Sequence, residues 1–101
     1  MASRIELQNT LENLLGVRHV YYQPPESVKI EYPAIKYSKI NIKTNHANNS
    51  KYITKQSYQI IVIDSKPDNP VLDKLLKLPY CTYDRYYKAD NLNHDVFTLY
   101  F

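Results

Sequence analysis

Residues 75–101 read LLKLPYCTYDRYYKADNLNHDVFTLYF, and this stretch decides the fold. The leucines end a short helix that Pro79 stops, because proline supplies no amide donor and its ring clashes with a continuing helix. Two tyrosine-rich runs follow, residues 80–87 and 94–101, joined by a polar turn across Lys88–Asn93. Tyrosine and β-branched residues suit a pleated, half-buried surface. Val96-Phe97-Thr98-Leu99-Tyr100-Phe101 is too apolar for a frayed tail, so it is expected to be a sheet strand with one buried face.

Working back from there, residues 52–64 carry the longest strand signal. Tyr52, Thr54, Gln56 and Tyr58 alternate along the first half. Ile60-Ile61-Val62-Ile63 is apolar on both faces, which predicts a central strand covered on both sides. Residues 34–42 form its partner, with a phase slip near Ser38–Lys39 that suggests a bulge or a strong twist. The wholly polar run TNHANNSK, residues 44–51, is the tip of this long hairpin. Residues 17–22 read as a short strand that Gln23-Pro24-Pro25 ends, and pairing could resume at residues 28–30.

Two helices complete the order. Ser3 and Glu6 have capping-box spacing, and Leu7, Leu11, Leu14 and Leu15 recur at helical spacing up to Gly16, the only glycine. Gly16 stands where a left-handed cap is needed. Asp68 or Asn69 can cap the second helix, with Pro70 at its first position and an apolar face of Val71, Leu72, Leu75, Leu76 and Leu78. The expected fold is α+β: one domain over residues 1–101, a mostly antiparallel sheet with a long hairpin, packed by an N-terminal helix and a short second helix.

Composition narrows the function. At 101 residues the chain buries roughly 60–70% of its unfolded surface. Eleven tyrosines without a tryptophan favour strands and half-buried contact surfaces. A net charge of +3 and a pI near 8.9 fall short of the concentrated basic patch of most nucleic-acid binders. The lone Cys81 excludes an intrachain disulfide, which fits an intracellular assembly site. The start MASRIELQNT lacks a signal-peptide core, and no window approaches ~20 apolar residues, so no membrane partner is expected.

Chemistry-bearing residues are sparse. His19, His46 and His94 have no second His or Cys at ligand spacing, so no metal is expected. His94 reads as a turn residue bonded to backbone, and His46 as solvated. Cys81 lacks an activating pair and reads as a small hydrophobe. A single glycine rules out the usual phosphate-cradling loop, and no cofactor or catalytic group is expected. Asp84-Arg85 and Asp90-Asn91 read as an ion pair and an Asx turn rather than a carboxylate site. Tyr80, Tyr83, Arg85, Tyr86, Tyr87 and Lys88 form a basic–aromatic cluster. It could stack single-stranded bases, but the low net charge favours a protein interface.

ENLLG near the start, VYYQPPES at residues 20–27, YPAIKY at 32–37 and the terminal LLKLPYCTYDRYYKADNLNHDVFTLYF together resemble small head–tail joining and tail-completion proteins of tailed bacteriophages of Gram-positive hosts. The similarity covers most of the chain and is densest over residues 78–101. The order of elements also resembles tail terminators. The resemblance implies a structural virion protein of the neck, assembled in the host cytoplasm, that forms a sixfold ring at the head-proximal end of the tail tube. Its implied partners are further copies of itself, the tail tube protein and a head-closure or connector protein. DNA would pass through the lumen without specific binding. A head-closure or adaptor ring is the neighbouring alternative, and a small nucleic-acid-binding module and a small enzyme or toxin are those of other classes. A ring needs unlike faces that meet head to tail. The expected contact residues are Asn45, His46, Asn48 and Asn49 at the hairpin tip, and Tyr83, Arg85, Tyr86 and Tyr87 on the tyrosine-rich strand.

Overall fold

The computed structural model describes residues 4–25, 27, 29–40, 56–66 and 68–101. Helix α1 spans Arg4–Leu15, as the leucine spacing predicts, and buries Leu7 and Leu11 completely. Gly16 closes it in the left-handed region, φ 86°, with its N–H bonded to the Glu12 carbonyl at 2.9 Å. Ser3, the expected cap, lies outside the described residues.

Five strands follow: β1 (Val20–Tyr22), β2 (Ala34–Lys39), β3 (Ser57–Asp64), β4 (Cys81–Ala89) and β5 (Leu92–Tyr100), with helix α2 (Val71–Leu76) between β3 and β4. They form one sheet in the order β1-β2-β3-β5-β4. The fold is therefore α+β with a five-stranded mixed sheet and two helices. β3 holds the centre, where its doubly apolar half predicts it. Every pairing is antiparallel except β1 with β2, which is parallel. The crossover between them is short and is tied down by side chains. His19 Nε2 lies 3.2 Å from Glu31 Oε2, its Nδ1 lies 3.1 Å from the Pro33 carbonyl oxygen, and Tyr21 Oη accepts from the Glu31 N–H.

Both helices pack on the same face. Leu7 and Leu11 of α1 and Val71 and Leu75 of α2 join Ile35, Tyr37, Tyr58, Ile60, Val62, Phe97 and Leu99 in one core. The opposite face carries no helix among the described residues, yet Ala34, Ile63 and Val96 are buried there, in keeping with a central strand apolar on both faces. Ile63 has Ala34 and His94 as its cross-strand partners, while Ile61 stays half-buried. An antiparallel sheet tolerates this arrangement because its pleat separates a core face from a wet one.

Several local expectations shift. β1 begins at Val20 rather than Val17, because the bend after the Gly16 cap occupies the intervening residues. Lys29 and Ile30 are in no strand, and Val28 is outside the described residues. β2 pairs continuously from Ala34 to Lys39, which excludes the first of the two alternatives at Ser38–Lys39, a bulge. The one register shift falls on β4, between Tyr83 and Arg85. The tip at residues 44–51 and the strand start at 52–55 lie outside the described residues.

In α2, Val71 and Leu75 are buried and Leu72 and Leu78 pack on the core, but Leu76 is half exposed. A helix of six residues presents fewer than two turns, so its stripe is too narrow to seat every leucine. Asn69 supplies the cap: its Oδ1 accepts from the Val71 N–H at 2.9 Å, and its Nδ2 donates to Asp64 Oδ2 at 2.7 Å. The last turn is tighter than the six residues of the polar run. Asp90 and Asn91, both at positive φ, close a two-residue hairpin between Ala89 and Leu92. Positive φ at both central residues matches the right-handed twist of the flanking strands.

Candidate functional site

β4 is an edge strand, bonded on one side to β5 and to no strand on the other among the described residues. Seven of its nine residues in succession are exposed. Tyr83, Tyr86 and Tyr87 are among the largest exposed apolar side chains, as are Tyr80 and Tyr100 nearby.

The bulge sorts these side chains. Residues directly opposite in an antiparallel pair share a face. Tyr83 lies opposite Phe97 and Tyr86 opposite Asp95, so both stand on the helix-bearing side. Arg85 lies opposite Val96 and Tyr87 opposite His94, on the bare side. In a regular strand Tyr83 and Tyr86, three residues apart, would point to opposite faces, and the bulge at Asp84 brings them to one. The single basic–aromatic cluster expected from the sequence is therefore two surfaces. This weakens a stacking platform for nucleic acid, which needs its aromatic rings on one face.

On the helix-bearing side the tyrosines are anchored at both ends. Tyr83 Oη donates to Asp95 Oδ1 at 2.9 Å, and its ring meets Phe97 edge-on at 5.2 Å between centroids. Tyr86 Oη donates to Asn93 Oδ1. Asn93 in turn donates from Nδ2 to the carbonyls of Asp64 and Ser65, at 3.3 and 3.2 Å. Asn93 and Asp95 are buried, and their polar atoms are satisfied by these bonds. The outcome is a pair of rings held rigidly with their outer faces in solvent. The sequence reading overlooked Asn93 and Asp95. Their parity with Phe97 and Leu99 along β5 was the available signal, because residues two apart on a strand share a face.

On the bare side Tyr87 stacks on His94, with centroids 4.6 Å apart and planes at 13°. The Arg85 guanidinium lies 6.0 Å from the Tyr87 centroid. His94 Nδ1 also sits 3.0 Å from the Leu92 carbonyl oxygen, which agrees with a backbone-bonded histidine, although His94 lies within β5 rather than in the turn. Asp84 accepts from Thr98 Oγ1 at 2.6 Å. The other expected contact residues, Asn45, His46, Asn48 and Asn49, are outside the described residues.

No group of His, Cys, Asp or Glu among the described residues could hold a metal ion. No helix among them is long and apolar enough to cross a membrane. Cys81 packs partly against the core, and burial, followed by the Asp84 charge, raises its pKa above 9.0. That favours the thiol over the nucleophilic thiolate.

Tyr37 and Tyr58 are also pushed above 10.0, chiefly by burial. A raised folded-state pKa means that the native state holds these protons more tightly than the unfolded chain does. The stabilisation is complete below the unfolded value and is lost as pH rises through the folded one. The urea midpoint is accordingly expected to fall steeply above about pH 10, in step with tyrosinate absorbance near 295 nm. A midpoint that stays flat through tyrosine ionisation would refute the coupling.

No protein-family model matches this chain, and no curated protein or solved structure matches it either.

Proposed function

We propose that this chain is a structural protein of a bacteriophage neck, a tail terminator or tail-completion subunit that assembles into a sixfold ring, caps the tail tube and joins it to the head. The observation that carries the reading is the inequality of the two sheet edges. One is the nine-residue β4, exposed along its length and studded with tyrosine; the other is the three-residue β1, running into two prolines. A closed ring of identical subunits needs two unlike, complementary surfaces on each copy. An exposed edge strand of this length is otherwise an aggregation hazard, and covering it in an assembly removes the hazard. Tyrosine held at its hydroxyl gives contact area with little entropy left to lose. The resemblance of its motifs to those of head–tail joining proteins points the same way.

In this role no reaction is catalysed. Buried area at the seams drives ring closure, and one ring face meets the last turn of the tube while the other meets the connector. The test is negative-stain imaging of the purified protein with and without the tube protein of the same virus. Sixfold rings, or tubes that stop lengthening when this protein is added, are expected. Monomers that leave tube growth unchanged would overturn the terminator assignment.

A further inference from the structure

Each end of the sheet carries one half of a familiar recognition pair. At the β4 end, Tyr83 and Tyr86 share a face, with Lys88 two residues further along on the same face opposite Asn93. Their rings are half exposed, 45% and 49%, and are fixed by Asp95 and Asn93. At the β1 end, the chain leaves Tyr22 through Gln23, at φ 42°, into Pro24 and Pro25. Gln23 is pinned twice: its N–H bonds the Tyr37 carbonyl at 2.9 Å, and its Oε1 accepts from the Lys39 N–H at 3.2 Å. Pro25 is exposed.

Consecutive prolines are stiff, so presenting them costs little ordering entropy, and pairs of exposed aromatic rings are the surface on which such segments dock. We propose that the Gln23-Pro24-Pro25 segment of one copy docks on the Tyr83–Tyr86 face of a second copy. The contact is head to tail, because the two halves stand at opposite edges of a five-stranded sheet. Each copy keeps one half free for the next, as ring growth demands. This deepens the ring reading by naming its seam, and rests on it.

The test uses the full chain, labelled with ¹⁵N, and a peptide of residues 20–27, VYYQPPES. Saturable shifts centred on Tyr83, Tyr86, Asn93 and Asp95 are expected. The peptide VYYQSSES is expected to bind about tenfold more weakly, as loss of an anchor contact does. A Tyr86→Ser chain whose spectrum stays dispersed is expected to lose the response. Shifts that are absent, centred elsewhere, or equal for the two peptides would overturn the proposal. Rings seen by microscopy with no peptide response would sink this seam and leave the ring reading intact. A peptide response without rings would do the reverse, leaving a head-to-tail contact that does not close.

Discussion

Phe97→Ala is expected to cost about 3–5 kcal/mol, which is half or more of the ~5–10 kcal/mol that a domain of this size has in hand. Phe97 is fully buried in the core that both helices cover. It lies opposite Ile60 on one side and Tyr83 on the other, so one ring bridges the central strand and the exposed edge. Removing it leaves a cavity in that core and withdraws the ring that Tyr83 meets edge-on. Nearby groups are held by backbone ladders on both flanks and can collapse only partly into the space. Equilibrium urea unfolding measures the loss. A shift below about 1 kcal/mol would show that the site repacks and that the β4 edge does not depend on this ring.

Tyr37→Ala should be nearly as damaging, and Tyr37→Phe separates the reasons. Tyr37 is 1% exposed and sits between Tyr22 at 4.9 Å and Tyr58 at 6.0 Å. Its hydroxyl accepts from Arg4 Nη1 at 3.3 Å and donates to Gln8 Oε1. Gln8 then donates to the Val20 carbonyl at 3.0 Å, and the Arg4 guanidinium lies 4.6 Å from the Tyr22 centroid. One hydroxyl thus latches α1 to β1 and β2. The alanine variant loses ring and latch, about 3–5 kcal/mol. The phenylalanine variant loses the latch alone, about 1 kcal/mol, with hydrogen exchange rising first in α1. Equal losses for the two variants would contradict this division.

The elements that the sequence set by itself are those with local causes. α1 follows from leucine spacing, and Gly16 from the left-handed residue that a helix end requires. The position of β3 follows from four consecutive aliphatics that only a central strand can bury. α2 needs Asn69 and Pro70 at its start, and both are visible in the chain. The last hairpin is legible too, although its turn shrank to Asp90-Asn91 because paired strands extend as far as backbone geometry allows.

What the chain could not show is what depends on partners distant in sequence. The parallel pairing of β1 with β2 is fixed by non-local bonds, such as His19 to the Pro33 carbonyl and Gln23 to Lys39. No periodicity encodes it. The bulge moved from the phase slip in β2 to Asp84 in β4, where Thr98 across the sheet receives the extra residue's carboxylate. That one residue decides which tyrosines stand together, because the side-chain period of a strand is two and an insertion inverts everything beyond it. Asn93 and Asp95 became the anchors of the tyrosine face for the same reason: a strand shows its own alternation in sequence, but only the register with its neighbour says what each side chain meets.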